Sequence, residues 1–194
     1  MRRPRPVAIA LALSGALLSV ACDDPPDREM QLAQGAIEAA RAAGADQYAR
    51  EEFAAAEDAL NKSQDAVAQR DYRLALNLAL DSRERAQTAA KQSADNKAIA
   101  RTNADRALVS AMAALNDAHT KLEAAQTARV PARVLAEPQR TIADADAAVQ
   151  EARTKFDAGD YLAVIDAMGP ITSQLQAAAK ALDLPSAPPP RRRR

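Results

Sequence analysis

Few side chains in this chain of 194 residues could carry chemistry. There is one cysteine, Cys22, and one histidine, His119. An imidazole acts as a general base or a metal ligand only with a nucleophile, an acid or further ligands beside it. His119 lies on an apolar helical seam without such partners at helical spacing, so it reads as an interhelical or solvent-edge residue. Asp144 and Asp146 are two residues apart and point to different faces of a helix. No glycine-rich phosphate loop and no Cys/His ligand cluster occurs in the sequence. The expectation is therefore a non-enzymatic chain with no catalytic, cofactor-binding or metal residues and no evident small-molecule substrate.

Cys22 has a different setting. The chain opens "MRRPRP", continues through the uncharged "VAIALALSGALLSV" and reaches "ACDDPPD". A basic start, an apolar run and small residues before a cut form a secretory signal peptide, here residues 1–21. The apolar run from Val7 to Val20 is shorter than the roughly 20 residues a membrane span needs. A lone cysteine in an exported chain has no intramolecular disulfide partner and calls for another reason. "S-V-A-C" resembles the lipobox of bacterial lipoproteins, with Ser19 where the family usually has leucine. That resemblance implies a covalent diacylglycerol and acyl lipid on Cys22, which becomes the new N-terminus, and attachment to a bacterial membrane facing the periplasm. Two or more acyl chains make such an anchor stable where one is marginal. Asp23 resembles the sorting signal that retains enteric lipoproteins on the inner membrane. Residues 22–28, with Pro25 and Pro26, read as an extended tether. The alternative for Cys22 is a free or intermolecularly paired thiol.

The formal net charge is +0, but it is unevenly spread. Arg2, Arg3, Arg5 and Arg191 to Arg194 lie in the termini, so the body from Cys22 to Pro190 carries 19 bases against 26 acids. An acidic body argues against nucleic acid as a partner. Aromatic residues make up 3% and there are 5 glycines, while alanine is abundant throughout. Alanine is the best helix former, and strand formers are scarce, so the fold class is all-α.

These residues must be positioned by long helices. The first starts near Asp27, with Met30, Ala33, Ile37 and Ala40 as its stripe and Gly44 as its C-terminal stop. A second is expected over about Ala45–Gln69. A third starts near Asp71 or Tyr72 and meets no proline or glycine until Pro131, which allows about 58 residues. Its small seam runs Ala86, Ala90, Ser93, Lys97, Ala100, Ala104, Ala107, Ala111, Ala114 and Ala118 in heptad rhythm. The polar "KQSADNKAIARTNADR" is a place where it could break. "RVPARVLAEPQ" reads as a loop or short kinked turn, with a fourth helix from about Pro138 to Ala158. A fifth reaches about Leu184, with a kink open at Gly169-Pro170. The resulting divisions are a helical hairpin region over 29–130, a second hairpin over 131–184 and a Pro/Arg tail over 185–194.

A shift of 89 residues lays Asp71-Tyr72 on Asp160-Tyr161 and Gln87, Ala89, Ala90 and Lys91 on Gln176, Ala178, Ala179 and Lys180. The pattern points to a duplicated hairpin whose turn carries an aspartate N-cap and a tyrosine packed at its base. "YAREEFAAAEDAL" followed by "AVAQRDYRLALNLA" resembles the alanine-rich helical-hairpin domain of uncharacterised bacterial envelope lipoproteins, over about 45–95 with 137–182 as a second copy. The resemblance implies a lipid-anchored helical domain outside the cytoplasm, with no assigned activity. The expected function is a non-catalytic binding or scaffold module with an envelope protein as partner. The alternative is a structural spacer similar to the murein lipoprotein, although this chain ends in Arg194 where that family has a linking lysine. The tail "PPPRRRR" could contact anionic lipid or wall polymer.

Overall fold

The computed structural model describes residues 24–183. Six helices account for nearly all of them: α1 (Asp27–Ala42), α2 (Ala45–Tyr48), α3 (Arg50–Ala68), α4 (Tyr72–Thr127), α5 (Ala132–Asp157) and α6 (Tyr161–Ala181). No strand occurs among the described residues. The class is all-α, an elongated antiparallel arrangement around one long central helix, as the alanine content and the missing breakers require.

Helix α4 is continuous over 56 residues, and the polar stretch in its middle does not break it. Its two halves serve different cores. The N-terminal half packs with α1, α2 and α3, around Ala33, Ile37, Phe53, Ala56, Leu60, Ala86 and Ala89. The C-terminal half packs with α5 and α6, around Leu115, Leu135, Ile142, Val149, Met168 and Leu175. No helix of the first set packs against a helix of the second. The molecule is thus two lobes threaded on one helix, α1 to α3 on its first half and α5 and α6 on its second. Between them, residues 94–99 of α4 are all exposed. Lys97 therefore leaves the seam read from the sequence, while Ser93, Ala100 and Ala104 stay buried on either side.

The lobes share one design. The buried positions Phe53, Ala56, Leu60, Ser63 and Ala75 correspond under the 89-residue shift to buried Ile142, Ala145, Val149, Ala152 and Val164. Their inter-helix turns match bond for bond. Asp71 N–H donates to the Ala66 carbonyl and Asp160 N–H to that of Lys155. Arg70 and Gly159, equivalent residues, both take positive φ, 61° and 83°. This left-handed residue lets the chain reverse after a helix, and glycine takes it without the Cβ penalty Arg70 bears. Gly44 fills the same role after α1, at φ 84°.

Two boundaries differ from the sequence reading. The expected second helix is broken at Ala49 (φ −142°, ψ 47°) into α2 and α3. Conversely, Pro138 does not start a helix. It lies inside α5, which begins at Ala132, and its ring is buried. Pro138 and Ala49 are equivalent under the 89-residue shift. Both lobes interrupt helical bonding at one point, by a bend in the first and by a missing N–H in the second. Pro170 likewise sits inside α6.

The two ends of the described chain lie far apart. Ser63 and Ser82 bond to Ala75 and Ala56, so Leu60 is level with about residue 78 of α4. Asp27, at the start of α1, lines one groove with Leu60. At the other end Asp183 pairs with Lys121 at 2.7 Å. The intervening helix, about 43 residues, is about 65 Å long at 1.5 Å per residue.

Candidate functional site

Cys22 and Asp23 lie outside the described residues; the chain enters at Asp24, on the tether. The hairpin-turn residues are described in full. Asp71 accepts from the Leu74 N–H at 2.9 Å and Asp160 from the Ala163 N–H at 3.3 Å, each at the N-cap of its helix. Tyr161 packs edge-on against Phe156, with ring centroids 5.2 Å apart. These are turn-forming interactions within each hairpin. Tyr72 is half-buried at the corresponding place in the first lobe.

His119 on α4 meets Asp146 on α5, Nε2 to Oδ2 3.0 Å, at a half-exposed edge. Asp144 faces away from this pair and lines a groove between α5 and α6. No third ligand joins them: among the described residues no three His, Cys, Asp or Glu side chains come together as a metal-binding group. Among the same residues, no helix is long and apolar enough to cross a membrane.

Surface ion pairs account for most of the perturbed titrations. Lys121 is raised by the hydrogen bond it donates to Asp183. Lys155 and Glu151 hold each other charged, one raised and the other lowered. Arg85 is raised by its hydrogen bond to Asp81 and by Glu52. Tyr48 differs: burial raises its phenol first, and the negative charge of Asp160 adds to this, against a lowering by the Tyr161 backbone.

Two open grooves stand out, about 790 Å³ on the second lobe and about 640 Å³ on the first. They are one groove duplicated. Glu137, Pro138, Thr141, Asp144 and Ala181 line the former, and Tyr48, Ala49, Glu52, Ala55 and Gln92 stand at the equivalent places in the latter. Their chemistry has diverged. In the first lobe Arg85 bridges α4 to Glu52 of α3 at 3.2 Å. The second has Gln174 and Thr141 instead, which carry no charge, so no ion pair spans it. Neither groove holds a nucleophile beside a base. What they offer is a shaped surface with scattered carboxylates and small apolar residues.

Sequence reasoning put Ser93 on the seam and Tyr48 on a helix face, but it missed two kinds of interaction. Ser63, Ser82 and Ser93 are fully buried, and each donates to a backbone carbonyl across the first lobe, at 2.8, 2.7 and 2.7 Å. Their spacing within an alanine seam was the available signal for the first lobe's close helix approach. The contact between Tyr48 and Asn96 was also missed. Asn96 Nδ2 donates to the Tyr48 carbonyl at 2.7 Å, tying the α2 bend to the exposed stretch of α4.

No curated protein and no solved structure matches the chain. A family model does match part of it, and its limits follow the architecture: the match stops at residue 104, where the core of the second lobe begins. The model is that of a domain of unknown function, DUF4398, and it matches residues 28–104, which take in the first lobe with its half of α4 and the exposed waist.

Proposed function

We propose that this chain is a lipid-anchored protein of the bacterial cell envelope that acts as a non-catalytic helical scaffold or binding module. The observation that carries the reading is the position of the tether. Asp24 follows two residues after Cys22 and leads directly into α1 at one end of the rod. A diacylglycerol on Cys22 would hold the rod by that end and leave both grooves facing the aqueous phase. The absence of paired reactive groups in either groove supports binding over catalysis. The test is the intact mass of the mature protein from membrane and soluble fractions, wild type and Cys22→Ala. A lipid increment on a chain starting at Cys22, lost in the variant, supports the reading. An unmodified mature chain overturns it.

A second reading has its own observation. The described ends are about 65 Å apart along α4 by helix rise, with Asp183, which the basic tail follows in sequence, at the end opposite α1. This geometry suits a spacer that holds its C-terminal tail against an anionic polymer or surface. Four arginines near such a surface contribute on the order of 1 kcal/mol each. Deleting Arg191 to Arg194 should then release the protein from isolated cell-wall or anionic-vesicle fractions. Unchanged retention would leave scaffold as the better reading.

A further inference from the structure

We infer that residues 94–99 of α4 form a hinge between two otherwise independent lobes, and that Tyr48 is the latch that holds it straight. The hinge rests on packing. From Ala94 to Ile99 every residue of α4 is exposed, whereas buried or half-buried residues recur at least every four positions on either side. No helix of the first lobe packs against a helix of the second, so only α4 itself crosses the gap. The local sequence gives the helix little support of its own. Asp95, Asn96 and Ile99, followed by Thr102 and Asn103, are weaker helix formers than the alanines around them. A helical segment without tertiary partners belongs to the part of a protein that opens most readily.

The latch rests on the surroundings of one residue. Tyr48 ends the short helix α2, at the tip of the first lobe that faces the second. Its backbone carbonyl accepts the hydrogen bond from Asn96 in the middle of the hinge. Its ring lies over Gly44, where an added Cβ would come within 3.4 Å of Cδ2. The α5–α6 turn of the second lobe lies close enough for Asp160 and Tyr161 to act on its phenol. Tyr48 is therefore bound to the first lobe and to the hinge, with the second lobe's turn beside it. The bend at Ala49 that separates α2 from α3 places it there. In the second lobe the equivalent residue is Glu137, at the far end of the rod, where no third lobe follows among the described residues. A latching tyrosine is thus present at the junction and replaced where no junction exists.

The experiment measures the distance between spin labels on Gln31→Cys and Lys180→Cys in the full chain with Cys22→Ala. The latched protein should give one narrow distribution. Tyr48→Ala with Asn96→Ala should widen it about twofold toward shorter distances, at unchanged helical circular dichroism, since collective hinge motion becomes accessible. The same width in wild type and variant overturns the latch. A milder pair, Tyr48→Phe with Asn96→Ser, gives the same reading if the alanine variant loses helicity. Hydrogen exchange of the unmodified wild type tests the hinge separately. Amides of 94–99 should exchange at least about tenfold faster than those of 108–118 in the same helix. Equal protection in the two stretches overturns the hinge.

Discussion

At the scale of single residues, the interactions that set this fold are backbone bonds made by short polar side chains. Asp71 and Asp160 each satisfy an N–H in the first turn of the helix they precede. Replacing either with alanine removes an N-cap and should cost about 1 kcal/mol. They cap different lobes, so the double variant should lose the sum of the two within a few tenths of a kcal/mol; urea denaturation of the three variants checks this. Tyr48 gives a pH-dependent expectation. Its folded pKa is raised above the ordinary tyrosine value, chiefly by burial. The folded state therefore keeps the phenol proton longer than the unfolded chain. The stability this contributes is full below pH of about 10 and is lost as pH rises through the raised value. An ultraviolet titration of wild type minus Tyr48→Phe should show one phenol ionising above the ordinary range. A difference curve centred on the ordinary value would contradict it. The capping aspartates were legible in the sequence because they sit beside their helices and repeat at an 89-residue interval. The pairing of Tyr48 with Asn96 was not, since nothing local marks two polar residues 48 positions apart as neighbours.

At the scale of elements, the two hairpins keep one register and fill it differently. Ala75, Ala79, Ala86 and Ser93 line the first, and Val164, Met168, Leu175 and Leu182 stand at the same places in the second. Small residues let helices approach closely, and the buried serine bonds from Ser63 and Ser82 span that short distance. The substitution pattern should follow. Met168→Ala and Leu175→Ala each leave a cavity among fully buried neighbours and should cost about 2–5 kcal/mol. Ala79→Met, the reverse change at the equivalent place, has no room and should destabilise by about 1–3 kcal/mol through overpacking. Thermal unfolding would show these as opposite failures of one position, too little volume in the second lobe and too much in the first. The length of α4 was readable from 58 residues without glycine or proline. The extent of α5 was not. Proline reads as a breaker, yet Pro138 falls one and a half turns into α5, where its buried ring packs and a single helical bond is lost. The bend at Ala49 carries no sequence signal beyond its equivalence to that proline.

At the scale of the whole molecule, one helix shared by two cores raises the question of cooperativity. A small domain unfolds as one unit when every element touches a common core. Here α1 and α3 share no packing with α5 and α6, and the only continuous connection passes through six exposed residues. Unfolding free energy can pass between the lobes only along α4 and through Tyr48. The first lobe also buries less apolar volume at matched positions. Each buried methylene contributes about 0.8 kcal/mol, and the exchange of Ala79 for Met168 or Ala86 for Leu175 amounts to several such groups in favour of the second lobe. The first lobe should therefore open at lower denaturant than the second. Hydrogen exchange across a denaturant series is the measurement. Amides of α1 and α3 should exchange together as one class, and those of α5 and α6 as a second, more protected class, with α4 divided between them near residue 96. A single class spanning both lobes would mean that α4 transmits stability across its exposed waist, which would also count against the hinge.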